Sequence, residues 1–366
     1  MGIDKREKRR PTMNDVAKLA GVSQSSVSLV LNRMTGARIS EETQRRVRET
    51  AKQLGYQLGA RGHAPSDAPP AGCNVVGYIV DEISTTPHPV VTIDGAREAA
   101  WEHGCVLSIF ATRGNADLEA AALRALLAQP ALVGVIYSSI FTRRVEMPAL
   151  LSGVPTVLLN CYTADRALPS VIPGEVAGGH TATERLLREG HRRIGLINGE
   201  PWMDAARDRL KGYRQALATA DLPFDPTLVR DGDWMPTSGY EHARSLMREP
   251  RPPTALFCAN DLMVLGALEA LKEMGLSVPT DVSLIGYDDQ EVAQHTRPAL
   301  TSILLPNAEM GRWAAECLIA EVIHGRPVRP RHVKMDCPLV ERDSVGPIRA
   351  APARRGHATA RTVGAT

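Results

Sequence analysis

Gln24, Ser25 and Ser28 are the residues whose type and spacing first suggest chemistry. Short hydroxyl and amide side chains can reach the edges of bases, and Gln can pair with adenine through two hydrogen bonds at once. Lys18, Arg33, Arg45 and Arg46 surround them and suit phosphate oxygens. The charge distribution agrees. The whole chain of 366 residues carries only +2, yet residues 1–61 hold 13 Lys and Arg against 6 Asp and Glu, a net of +7. The stretch 346–366 adds four Arg and no acid, which leaves −9 on 62–345. A basic end on an acidic body points to a polyanion-binding module joined to something else. A solvated basic arm gives the same charge, and Arg outnumbers Lys 36 to 7 throughout, so Arg alone is a weak signal.

Catalytic and metal chemistry find less support. No Gly-x-Ser-x-Gly occurs, and the adjacent Asp288 and Asp289 diverge rather than form a working pair of carboxylates. The cysteines at 73, 105, 161, 258, 317 and 337 have no C-x-x-C spacing, and the ten His form no metal-binding pattern. The cysteines read as small hydrophobes of a reducing compartment; no metal, no cofactor and no catalytic residue are expected. No apolar run reaches the roughly 18 residues of a membrane span, and charges of both signs over Met1 to Arg10 do not form a signal peptide. A cytoplasmic, nucleoid-associated protein is the expectation.

Helices must present the base-reading side chains. Thr12-Met13-Asn14-Asp15 is a capping-box pattern, and Val16, Leu19 and Ala20 recur at i, i+3, i+4. Gly21 ends that helix. Ser23 caps a second, with Val27, Val30 and Leu31 on one face, and Ser40 opens a third carrying Val47, Ala51 and Leu54. Two short helices about a Gly-containing turn form a helix-turn-helix, whose second helix enters the major groove. A plain helical bundle with a polar face is the alternative.

From Thr12-Met13-Asn14-Asp15-Val16-Ala17-Lys18-Leu19-Ala20-Gly21-Val22-Ser23 through Ser26-Val27-Ser28, Val30-Leu31-Asn32 and Leu54-Gly55-Tyr56, the chain closely resembles the N-terminus of the LacI–GalR family of bacterial repressors. The resemblance implies a homodimer on palindromic operator DNA, with Thr12, Ser23, Gln24, Ser25, Ser28, Asn32, Lys18 and Arg33 at the interface. Leu29 stands where such repressors usually carry Arg, so the guanine contact is replaced, with a thymine methyl as the expected target. Leu58 stands as the candidate minor-groove wedge. The Pro-Asn start of the family's hinge helix is missing, and Gly59, Gly62 and Pro65 oppose a stable helix.

Beyond residue 73, apolar strand-like runs alternate with helical patterns: strands at 75–80, 106–110, 133–137, 154–159, 194–197, 256–258 and 282–286, helices at 91–103, 117–129, 176–189, 205–219 and 261–274. Such alternation predicts parallel α/β layers, and about 270 residues of it exceed one sheet. Gly190-His191-Arg192-Arg193-Ile194-Gly195, Ala259-Asn260-Asp261 and Val282 to Asp289 are similar to the family's effector-domain blocks. The implied fold is a small all-α helix-turn-helix domain followed by a two-lobed, periplasmic-binding-protein-like α/β domain with parallel sheets. The division is a basic arm at 1–10, the DNA-binding domain at 11–58, a hinge or linker at 59–73 and the effector and dimerisation domain at 74–343. Its first lobe takes about 74–171 and 301–328, its second about 172–300 and 329–343, and 344–366 is a disordered basic tail.

By the same resemblance His88, Asn160, Arg209, Trp234, Asn260 and Asp288 face a cleft between the lobes. Their chemistry suits a polyol: Asp accepts hydroxyl hydrogens, Asn gives and accepts, Arg holds hydroxyl or carboxylate oxygens, and Trp offers a face to sugar C–H groups. Bland readings stand beside these: Trp234 as core, Arg209 with Asp288 as a structural ion pair between lobes, Asn260 as a helix cap, His88 as exposed. The functional expectation is a ligand-responsive, sequence-specific regulator, a repressor of carbohydrate metabolism with a sugar-like effector. A transporter's solute-binding protein, an enzyme on a similar fold, and a regulator answering a non-sugar ligand such as a purine are the alternatives.

Overall fold

The computed structural model describes residues 13–22, 27, 30–31, 40–54, 73–326 and 332–348. They fall into two compact units, 1–71 and 72–366.

In the first unit a helix runs Met13–Ala20 and another Glu41–Leu54, and residues 27, 30 and 31 are helical between them. The helices bury the apolar positions that the periodicity marks: Val16, Ala17, Ala20, Val27, Val30, Val47 and Ala51 form one cluster, flanked by Val22, Leu31 and Leu54. Gly21 sits at φ +64 and lets the Val22 N–H close back on the Ala17 carbonyl at 3.1 Å. Ser40 caps the later helix through Oγ, which accepts from Thr43 N at 3.3 Å.

The second unit carries two six-stranded sheets. The first holds β1 (Asn74–Val80), β2 (Cys105–Ala111), β3 (Leu132–Arg144), β4 (Thr156–Tyr162), β5 (Ser170–Pro173) and β11 (His332–Met335) in the order β11-β5-β4-β3-β1-β2, all parallel. The second holds β6 (Ile194–Asn198), β7 (Val229–Asp231), β8 (Ala255–Cys258), β9 (Ser283–Asp288), β10 (Thr301–Leu304) and β12 (Leu339–Val340) in the order β12-β10-β9-β8-β6-β7, with only β12 antiparallel. In each, strand order reverses beside the first strand, so loops after β1 and β3, and after β6 and β8, open a crevice at the carboxyl ends.

The chain crosses between lobes after β5, β10 and β11, which corrects the sequence-based boundaries. The segment 301–304 pairs with β9 in the second lobe rather than starting a return to the first. The segment 332–335 pairs with β5 in the first lobe rather than lying in the second. Both strands are four residues long, too short for a local pattern to name their sheet, and the partner of β11 lies far back in the chain at β5. The Asn307–Val322 helix also escapes the strand–helix alternation. It buries Met310, Ala314 and Leu318 on the first sheet's core beside Val76, Tyr78 and Ile136. It packs closely on the His88–Glu102 helix: a Cβ on Gly95 would lie 2.0 Å from the Ala308 carbonyl oxygen, and one on Gly311 would lie 1.9 Å from that of Thr92. That contact seats the opening turns of both helices side by side.

The helix Pro236–Met247 hides behind Ser238 and Gly239 in sequence, residues that weaken helical propensity, while Pro236 is tolerated at its first position. Tertiary packing overrides this, because a Cβ on Gly239 would meet the Met263 carbonyl oxygen at 2.1 Å. The expected tail also starts later than residue 344. Ser344 is fully buried; its Oγ accepts from Thr301 N at 2.9 Å and donates to the Leu284 carbonyl at 2.7 Å. Ile348 N donates to the Glu189 carbonyl at 3.1 Å. A buried hydroxyl with both roles met makes 344–348 part of the second lobe; 349–366 lie outside the described residues.

Candidate effector cleft

All six effector-site candidates, His88, Asn160, Arg209, Trp234, Asn260 and Asp288, line one cleft of about 510 Å³ between the lobes. Each is placed by a strand end or a helix start. Asp288 closes β9 at φ +96, Asn160 lies in β4 at φ +57, and Trp234 precedes the Pro236–Met247 helix at φ +68. Non-glycine residues at positive φ are uncommon and carry strain, and they cluster where function fixes a side chain's direction.

The deepest feature is an ion cluster. Arg209 donates from Nε to Glu175 Oε2 at 2.8 Å and from Nη2 to Glu175 Oε1 at 2.9 Å, a two-pronged pair between groups that are both about 4% exposed. Nη1 donates to the Ala259 carbonyl, Nη2 approaches Asp288 Oδ1 at 3.6 Å, and the guanidinium lies 3.6 Å above the Tyr287 ring. Burial alone would lower the pKa of Arg209, but Glu175 and then Asp288 reverse this and hold it above the ordinary arginine value. Asp288 is equally enclosed. Burial pushes its carboxyl upward; His88 and Arg209 outweigh that and keep it below the usual carboxylate range. Behind it, Asp261 is fully buried, accepts from Ser302 Oγ at 2.7 Å and Gln290 N at 2.8 Å, and is raised well above 3.8 by burial and by Asp288.

His88 joins the lobes. Its Nε2 lies 3.3 Å from Asp288 Oδ2, and its Nδ1 meets Asn307 Nδ2 at 3.1 Å. The packing of the two helices that open at these residues makes that alignment. The bond therefore runs across the cleft, whereas the Arg209–Asp288 approach lies within the second lobe, not between lobes as the ion-pair reading supposed.

Some bland readings hold alongside the placement in the cleft. Asn260 Oδ1 accepts from Met263 N at 2.8 Å and so caps the Asp261–Glu273 helix, while Nδ2 donates to the Trp234 carbonyl at 2.9 Å. Trp234 packs on the second lobe's core; its Nε1 donates to Glu200 Oε2 at 3.1 Å. Asn160 accepts from Thr142 Oγ1 at 2.6 Å and donates to the Ser139 carbonyl at 3.1 Å. Leu305 lines the cleft as an apolar edge.

Sequence reasoning missed Asp81, Phe141, Arg143, Glu175 and Trp202, which are among the further residues that line it. Asp81 accepts from Ile140 N at 2.8 Å, Ser139 Oγ at 3.0 Å and Arg143 Nη2 at 2.9 Å, tying the ends of β1 and β3 together. It directly follows the apolar run 75–80, a usable signal. The others sit in a strand extension, a helix opening and a loop with no pattern of their own.

Of the DNA-contact candidates only Lys18 is described, exposed on the Met13–Ala20 helix. Thr12, Ser23, Gln24, Ser25, Ser28, Leu29, Asn32, Arg33 and Leu58 lie outside the described residues. Cys105, Cys161, Cys258 and Cys337 are buried and free, and burial pushes the Cys161 thiol up to about 12, the behaviour of inert packing residues.

A small helical unit followed by a two-lobed α/β unit with an interlobe cleft is the arrangement of a ligand-responsive transcription regulator. Residues 12–57 match the model of bacterial regulatory proteins of the lacI family, and residues 183–345 match a periplasmic binding protein-like domain. The HTH-type transcriptional regulator CelR of Thermobifida fusca is 34% identical over 345 residues, covering 92% of this chain and 99% of that protein. The HTH-type transcriptional repressor PurR of Aliivibrio salmonicida is 31% identical, covering 91% and 98%. Among solved structures, a complex of transcriptional regulator CelR with cellobiose aligns at TM-score 0.63 and 32% identity over 92% of this chain and 100% of that one. A lac repressor dimer bound to operator and the anti-inducer ONPF aligns at TM-score 0.64 and 26% identity, again over 92% and 100%. The chain belongs to the lacI family of bacterial regulatory proteins, and it is a DNA-binding transcriptional regulator.

Proposed function

We propose that this regulator is a homodimeric repressor of carbohydrate genes. Its interlobe cleft binds a sugar-like effector without turnover, and that binding shifts the population competent for a palindromic operator. The observation that carries the reading is the convergence of Asp288, Asn160 and His88 with Trp234 in one cleft: hydroxyl acceptors and donors beside an indole face. The similarity to a regulator solved with cellobiose supports it. His88 and Asp288 come from opposite lobes, so a ligand that meets either changes the free energy of lobe closure, and only such differential affinity can couple ligand to DNA. The adjacent Val90 and Val91, exposed at the start of the His88–Glu102 helix, support a self-association face on the first lobe. No helix among the described residues is long and apolar enough to cross a membrane.

Fluorescence anisotropy on a library of genomic fragments, with a thermal-shift panel of sugars, purines and amino acids, tests this reading. Expected are salt-sensitive binding of two protomers per palindrome and a sugar that both raises the melting temperature and changes DNA affinity. Salt-insensitive binding, or stabilisation by a purine and by no sugar, would refute it.

A further inference from the structure

We propose that a second cavity, lined by the same helix that carries Arg209, is a binding site for a dicarboxylic amino acid held between the two lobes. This site lies outside the effector cleft and stands independently of the ligand bound there.

The cavity measures about 390 Å³, and among the described residues Thr142 alone lines both it and the effector cleft. Its two walls come from different lobes. The first-lobe wall is the edge strand β11 beside β5, where His332 pairs with Ser170 and Lys334 with Ile172. Residues two apart on a strand share a face, so Lys334 leaves the wall on the same side as His332. His332 ties down the neighbouring loop: its Nε2 meets the Arg166 carbonyl at 2.9 Å and its Nδ1 meets Ser170 Oγ at 2.7 Å. Both ring nitrogens are thereby occupied, and Arg166 is held at φ +51 on the rim of the cavity. The second-lobe wall is the Asp204–Thr219 helix. Asp204, Arg207 and Asp208 stand at i, i+3 and i+4, on one face of it, whereas the next residue, Arg209, turns into the effector cleft. The lobes cross over close by, where Gly174 N donates to the Met335 carbonyl at 2.7 Å.

The charges in this lining do not cancel one another. Arg207 and Asp204 pair, and Asp204 also accepts from Tyr162 Oη at 2.7 Å across the lobes. That leaves Arg166, Lys334 and Asp208, whose side chains have no ion pair and no hydrogen bond among the described residues. Exposed cations are ordinarily left to water. Asp208 differs, because it is half-buried; burial raises its pKa above the ordinary aspartate value, against the lowering effect of Lys334. A carboxylate drawn out of water with no donor costs free energy until a donor meets it. The unmatched groups are two cations on the first-lobe wall and one acid on the second. Their complement is two carboxylates and one ammonium, the charge pattern of glutamate and aspartate, with each contact a charge-assisted hydrogen bond. An amino acid with one carboxylate leaves a cation unmatched. A dicarboxylate without nitrogen leaves Asp208 unmatched, and a phosphate sets another anion against it. Ile172 and Val333 supply apolar surface for the methylene chain. A ligand that touches both walls favours the lobe arrangement in which they face each other.

Isothermal titration of the full chain with L-glutamate and L-aspartate, beside L-glutamine, glutarate and glucose 6-phosphate, tests the assignment. One of the two acidic amino acids is expected to bind once per protomer, about tenfold more tightly than L-glutamine or glutarate. Lys334→Met on the first lobe and Asp208→Asn on the second should each weaken that binding about tenfold. In Asp208→Asn the gap between the amino acid and glutarate should close, a change that loss of structure would not produce. The absence of saturable binding by either acidic amino acid overturns the proposal. So does glutarate or glucose 6-phosphate binding as tightly as they do. An affinity left unchanged by either substitution overturns the two-walled site. None of these results bears on the sugar reading of the effector cleft, which has its own test.

Discussion

Removing Arg209 while leaving its partners in place gives the most direct test of the cleft's energetics. In Arg209→Met the side-chain volume is nearly kept, but Glu175 and Asp288 remain buried without their shared cation. Breaking a buried pair from one side costs about 3–5 kcal/mol, because a desolvated charge is left uncompensated. For a domain of this size each kcal/mol moves the melting temperature by roughly 2–4 °C, so a fall of about 10 °C is expected. Differential scanning calorimetry reads it directly. Replacing both members, Glu175→Leu with Arg209→Met, removes one of the two stranded charges and leaves Asp288 to His88 and Gln290, so it should recover part of the loss. A pH series adds a check. A buried carboxylate deprived of its cation takes up a proton more readily, so the single variant's deficit should shrink as pH falls from 8 to 5. A single variant that melts with the parent, or a double variant worse than the single one, would refute the view that the cluster is held by its pairing. Activity on DNA need not be measured for this test.

Three other outcomes follow from particular contacts. A Cβ on Gly199 would lie 1.8 Å from the Trp234 ring, so Gly199→Ala should cost about 1–3 kcal/mol, shift the intrinsic tryptophan emission and weaken effector binding. His191 is buried against Thr254, Ser283 and the Gly346 carbonyl, and burial lowers its pKa below 6.5. The unfolded chain therefore binds the extra proton first, stability present above 6.5 is lost as pH falls through the folded value, and His191→Gln should flatten that limb in thermal melts between pH 7.5 and 5.5. Lys18, exposed on the first helix, should contribute one phosphate contact, so Lys18→Ala should weaken binding to all operators alike and reduce the salt slope by about one.

Much of the fold is legible because its signals are local. Caps and i, i+3, i+4 spacing mark the Met13–Ala20 and Glu41–Leu54 helices, and apolar runs mark β1, β6 and β9. Short strands such as β5, β7 and β10 carry too few residues to show a period, and the Pro236–Met247 helix is formed against its propensity by packing. The site divides in the same way. Asn260 and Asp288 stand next to strands that can be read, so their place at the cleft could be expected. Trp202 and Phe141 become partners only when the lobes meet.

The sequence by itself determined a basic helix-turn-helix end and an alternating α/β body, and the class of protein through motifs that resemble the LacI–GalR family. Tertiary structure alone decided what the cleft residues do. Arg209 looked available for a ligand's oxygens, yet Glu175, 34 residues away in sequence, fills its fork. His88 looked solitary between two prolines, yet it bridges to Asp288 from the opposite lobe. The physical reason is common to both: charge pairing is set by distance and burial, and these are fixed by which strands cross between lobes, not by any neighbour in the chain.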